Sequence, residues 1–120
     1  MKALNKCYKT IFVSLLFPVS AIAGGGNGHV EIEHVGGYGN GRLVFFYTTN
    51  HLNPPACNTY KRRWVMDLGN PAGKEQYALL LSAQISGKQV TVYGTNQCDL
   101  AGDSETVYWV GYPVDHSTKP

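Results

Sequence analysis

The chain has 120 residues, 43% of them apolar and 15% charged, which is apolar enough for a packed core and excludes a highly charged disordered chain. Its formal net charge of +2 includes Lys2, Lys6 and Lys9, crowded at one end. Without them seven basic residues face eight acidic ones, a net charge of −1, which excludes the dense basic surface of a nucleic-acid binder.

Those lysines precede the apolar run Ile11-Phe-Val-Ser-Leu-Leu-Phe17 and the small-x-small tripeptide Ala21-Ile22-Ala23, which together read as a cleavable signal peptide over residues 1–23. The run is shorter than the roughly 20 apolar residues that a membrane helix needs, and no other segment approaches that length. Cys7 lies before the apolar run, where it cannot serve as a lipid-anchoring cysteine and leaves with the peptide. The expected product is one domain over 24–120, soluble and exported to the periplasm or beyond, without a membrane span.

Cleavage leaves two cysteines, Cys57 and Cys98, in an oxidising compartment, so one disulfide is expected. In the chain-entropy model a loop of that length contributes roughly 4 kcal/mol. The spacing excludes a CxxC redox pair and a zinc ligand set, so neither metal nor cofactor is expected.

Along the chain, Gly24-Gly-Gly-Asn-Gly28 reads as a loose lead, because glycine loses the most freedom on ordering. Val30 and Ile32 alternate with His29, Glu31 and Glu33, as in a half-buried strand. The run Gly36-Gly-Tyr-Gly-Asn-Gly41 then turns the chain into a second strand over 42–48. Residues 49–60, with Pro54, Pro55 and Cys57, read as a long loop, followed by a short strand over 63–67. Lys61-Arg62-Arg63, the remaining basic cluster, reads as a solvated loop entering that strand.

Asn70 offers an N-cap and Pro71 a first helical residue for a helix ending near Ser86, with Gly87 as its left-handed cap. Tyr77, Leu80, Leu81 and Ile85 would form its apolar stripe. A strand over 88–93, a loop carrying Cys98, a last strand over 105–112 and a loose tail over 113–120 complete the chain. This order is that of a mainly β fold, a small five-stranded OB-like barrel with one helix between strands three and four. An open five-stranded sheet with the helix on its face is the competing architecture.

The segment Ala78-Leu-Leu-Leu-Ser-Ala-Gln-Ile-Ser-Gly-Lys-Gln-Val-Thr-Val-Tyr-Gly94, then Cys98 and Asp103-Ser-Glu-Thr-Val-Tyr-Trp-Val110, resembles the small exported proteobacterial proteins that are similar to the B subunit of subtilase cytotoxin. The resemblance implies an OB-fold binding module that assembles into a ring of five and binds glycans, with toxic activity on a separate A subunit. No sugar-contacting residue is carried over from it.

Candidate sites are sparse. Tyr38, Asn40 and Tyr60 lie beside turn residues, where aromatic rings stack on sugars and amides bond their hydroxyls; the first and second are also ordinary turn residues. His29, Glu31 and Glu33 share one strand face and could serve a hydrolase, but such a row is ordinarily the wet side of a strand. Nucleophile elbows, zincin helices and phosphate loops are absent from the sequence, so an enzyme is not expected. Asp103-Ser-Glu105 reads as a polar turn, and His51 and His116 as loop and tail residues without visible partners. Both alternating faces of 43–47 and 107–110 carry apolar groups, although a barrel buries one face of each strand. Either the helix, long loop and tail or a second copy of the chain should cover the other. The expectation is thus a glycan-binding homo-oligomer, the alternative a monomeric envelope protein that binds a protein partner.

Overall fold

The computed structural model of the protein describes residues 24–37 and 41–114. The predicted signal peptide, Tyr38 and Asn40, and most of the predicted tail lie outside the described residues. Five strands and one helix follow as β1 (Gly25–Val35), β2 (Leu43–Leu52), β3 (Trp64–Asp67), α1 (Pro71–Ser86), β4 (Val90–Gly94) and β5 (Glu105–Gly111). The strands close into a barrel in the order β1-β2-β3-β5-β4, with β4 returning to β1. Neighbours are antiparallel except β3 and β5, which run parallel. This is the OB-like topology expected, and the pairing of β4 with β1 removes the open-sheet alternative.

Gly36, Gly37 and Gly41 all adopt positive φ at the first hairpin, and the Gly36 amide donates to the Leu43 carbonyl at 2.9 Å. The helix begins as its caps dictate. Asn70 Oδ1 accepts from the Gly73 amide at 2.6 Å, Pro71 opens the first turn, and Gly87 ends the helix at φ 73°. The apolar stripe differs from the expected one. Gly73, Leu80 and Ala83 are buried and Tyr77 is partly buried, whereas Leu81 is exposed and Ile85 is 78% exposed. The reason is close approach: a Cβ on Gly73 would overlap the Asp67 carbonyl, so the helix rests on its small residues. Gln84 fixes the same face, its Oε1 accepting from the Ile32 amide at 2.6 Å.

The glycine run also differs. Gly25 to Gly28 belongs to β1, paired on one side with β2 and on the other with β4, and Gly24, Gly26 and Gly28 are buried. This pairing extends β2 through Thr49 to Leu52, residues expected in a loop. Backbone hydrogen bonds on both edges, together with burial, outweigh the entropy that glycine loses.

The barrel interior holds Val44, Phe46, Trp64, Met66, Val90, Val92, Val107 and Val110, closed on the helix side by Leu80 and Ala83. A second cluster, Leu43, Phe45 and Val65, lies on the outer face of β2 and β3 under Leu100 and Ala101 of the β4–β5 loop. Cys57 and Cys98 form the expected disulfide, with 6.1 Å between Cα atoms, and tie the β2–β3 loop to the β4–β5 loop. Among the described residues no helix is long and apolar enough to cross a membrane.

Candidate ligand cavity and a buried histidine–glutamate pair

A cavity of about 660 Å³ opens on the outer side of β2 and β3. His34 and Leu43 line it from the base of the first hairpin, Phe45 from β2, Tyr60 and Arg63 from the β2–β3 loop, and Leu100 to Asp103 from the β4–β5 loop. Arg63 organises these walls. Its guanidinium stands 4.1 Å from the ring centroids of both Phe45 and Tyr60, so it is held between two aromatic faces. Nε donates to Ser104 Oγ at 3.0 Å, and the terminal nitrogens donate to Glu33 at 3.2 Å and Asp103 at 3.1 Å. An arginine engaged by two carboxylates is part of the wall rather than a free cation.

Tyr60 therefore does line a concave surface, with 37% of its area exposed, although Arg63 occupies one face of its ring and Lys61 lies 5.6 Å above the ring. Tyr38 and Asn40 fall in the connection between the strands that contribute His34 and Leu43, outside the described residues. Arg63 and Ser104 both bond Oδ1 of Asp103, and among the described residues no hydrogen bond goes to Oδ2. Lys61-Arg62-Arg63 is not simply a solvated cluster: Lys61 and Arg62 take φ of 50° and 64°, a left-handed turn that delivers Arg63 to the cavity.

The row His29, Glu31 and Glu33 stays exposed along β1. The structure gives Glu33 to Arg63, and among the described residues no three His, Cys, Asp or Glu side chains converge as a metal-holding group. Burial, reinforced by the nearby Glu33 carboxylate, pushes the Tyr47 phenol above its ordinary value.

One arrangement escaped the sequence reading. His51 is not an unpartnered loop residue but lies in β2, 1% exposed. Its Nε2 is 2.8 Å from Glu105 Oε1, and its Nδ1 donates to the Arg62 carbonyl at 2.7 Å. Glu105 is fully buried, and its Oε2 accepts from the Asn96 amide at 3.0 Å. The imidazole stacks on Trp64 with 3.7 Å between centroids, and the indole Nε1 donates to Thr48 Oγ1 at 3.0 Å. Three glycines make the space. A Cβ on Gly24 or Gly94 would overlap the Glu105 carboxylate, and one on Gly26 would stand 2.9 Å from the Trp64 ring.

Thus Asp103-Ser-Glu105 is more than a polar turn, because Asp103 and Ser104 hold Arg63 while Glu105 holds His51. No periodicity could have shown the pairing of His51 with Glu105, 54 residues apart. The available signal was the glycine at 24, 26 and 94, three absences of side chain around one large cluster.

No family model, curated protein or solved structure matches this chain.

Proposed function

We propose that the protein is an exported, non-catalytic binding module whose ligand is a carbohydrate held in the cavity over β2 and β3. The observation that supports this most is position. The cavity lies between the first hairpin and the β4–β5 loop on the β2–β3 face, the general site at which OB-folds take oligosaccharides or oligonucleotides. Its chemistry favours the sugar: Arg63 is already paired, Asp103 offers an acceptor for hydroxyls, and Tyr60 with Leu43 and Leu100 supplies apolar surface for a ring. Catalysis is no part of this reading. The resemblance to toxin B subunits agrees with it in kind.

A different surface favours self-association, the finer part of the proposal. Tyr93, Tyr108 and Trp109 project from the outer face of β4 and β5, with Tyr108 72% and Trp109 42% exposed. Aromatic anchors of this kind are favoured in interfaces. The alternative remains a monomer that uses this face for a protein partner. Glycan-array binding by the oxidised protein, lost in Tyr60→Ala at unchanged circular dichroism, is the expected result; no binding above background by the assembled protein overturns the carbohydrate reading. Light scattering separates the ring from the monomer.

A further inference from the structure

The outer face of the barrel continues past the cavity over β2 and β3. Phe45, Tyr47 and Thr49 alternate along β2, so they share one side of the strand and span about 13 Å of it. Phe45 lines the first cavity. Tyr47 and Thr49 line a second one of about 360 Å³, together with His29 and Glu31 of β1 and Gln84 of the helix. That volume falls within the range of about 300–1,000 Å³ usual for ligand sites. Polar groups join the two cavities: Tyr47 lies beside the Glu33 carboxylate, which accepts from Arg63 Nη1 at 3.2 Å.

Irregularities in β1 build both ends of this strip. Between Ile32, paired with Phe46, and His34, paired with Phe45, Glu33 is an extra residue of β1. Between Asn27, paired with Asn50, and Val30, paired with Thr48, Gly28 and His29 stand opposite Thr49 alone. Each is a bulge, a device that re-aims side chains. One sets Glu33 against Arg63 of the first cavity, and the other sets His29 in the wall of the second. Glycine is needed at the latter. Gly28 has φ of 107°, and a Cβ on it would stand 2.5 Å from Thr49 Oγ1, the atom that accepts from the His29 amide at 2.8 Å. Gln84 is fixed in turn by the bond from the Ile32 amide to its Oε1, so β1, β2 and the helix each contribute to the second cavity.

The second cavity is rich in hydrogen-bonding groups, a carboxylate, an imidazole, a phenol, hydroxyls and a carboxamide, with Val30 its single apolar lining residue. Among the described residues no lysine or arginine lines it, and Arg63, which lines the first cavity, is paired with Glu33 and Asp103. A phosphate backbone would need unpaired cations along its path. An uncharged chain of hydroxylated rings needs only donors and acceptors. We propose that the two cavities are subsites of one groove for an oligosaccharide without acidic groups, its chain lying along Phe45, Tyr47 and Thr49 with sugar units in both cavities. This rests on the carbohydrate reading above and extends it from one cavity to a chain recognised along its length.

The test uses the oxidised protein and an array that carries glucose, galactose, mannose, N-acetylglucosamine and N-acetylgalactosamine, each as an unbranched disaccharide and tetrasaccharide, with single-stranded oligothymidine as the polyanion. In at least one series the tetrasaccharide should bind about tenfold more tightly than the disaccharide, the worth of one further hydrogen bond to a charged group. Glu31→Ala, at an exposed position, should remove roughly that tenfold from the tetrasaccharide and change the disaccharide by less than about twofold. Tyr47→Phe, which keeps the ring, should weaken the tetrasaccharide in the same selective way. Equal affinity for the two lengths, or equal losses for both in the variants, overturns the groove and leaves the carbohydrate reading standing. Silence across the array, or tighter binding of oligothymidine than of any sugar, overturns both.

Discussion

The outer face of β2 and β3 and the outer face of β4 and β5 look alike in sequence, and the fold treats them differently. On the first, Leu43, Phe45 and Val65 are buried under Leu100 and Ala101 and flanked by Arg63. On the second, Tyr93 and Trp109 meet across their strands, 5.4 Å between ring centroids, and remain about half exposed, while Tyr108 is 72% exposed. The difference lies in the loops. The β4–β5 loop is drawn over the first face by the disulfide, by Asp103 on Arg63 and by Glu105 on His51. No comparable anchor draws a described segment over the second. A covered face of this kind becomes a cavity wall, and an uncovered one a surface for association.

Tyr108 is outward for a further local reason. The β4–β5 register shifts between Tyr93, paired with Trp109, and Gly94, paired with Val107, so Tyr108 is the extra residue of a bulge. Two successive residues then point away from the barrel, and the bulged Tyr108 carbonyl accepts from Gln76 of the helix at 3.2 Å.

The largest effect is expected at the buried anchor of the covered face. Glu105→Ala leaves His51 buried without its partner and is expected to cost about 3–5 kcal/mol in urea unfolding, the range for breaking a buried pair. Phe45→Ala, in the covered face, should cost about as much, whereas Tyr108→Ala in the bare face should stay within about 0.5 kcal/mol. Equal losses at the two positions would show that the faces are not distinguished in solution. Cys57→Ser combined with Cys98→Ser should lower stability by about 2–4 kcal/mol and raise binding of a hydrophobic dye as Leu43 and Phe45 lose their cover. The smallest effect concerns Tyr47. Its raised titration means that the folded protein favours the neutral phenol, so this contribution is complete below the ordinary phenol value near 10 and is lost as pH rises through the higher folded value. Glu33→Gln removes one of the two leading causes and should bring the ultraviolet phenolate titration back toward the ordinary value.

Much of the fold was legible because its signals are local. Asn70, Pro71 and Gly87 mark the helix ends through hydrogen bonding and φ, and the closely spaced glycines at 36, 37 and 41 mark the hairpin. Cys57 and Cys98 had one possible pairing once Cys7 was assigned to the leader. The buried side of the helix was misjudged since hydrophobic spacing ranks Leu81 and Ile85 above Gly73 and Ala83, although close packing against the barrel favours the small residues. The leading glycines were misjudged for a related reason, their neighbours being distant in the chain: Glu105 at Gly24, and Thr48 and Trp64 at Gly26. Of the candidate site, Tyr60 was legible as an exposed aromatic beside a turn; Arg63 and Asp103 were not, because their importance comes from meeting each other.

The amino-acid sequence by itself determined the element order, the helix caps, the hairpin turn and the pairing of the cysteines, each of which depends on neighbours in the chain or on a choice with one answer. The tertiary structure decided which apolar faces are covered, where the cavity lies, and that His51, Glu105 and Trp64 share one buried cluster. Those outcomes depend on distances between residues far apart in the chain, and close packing sets such distances only once the barrel has closed.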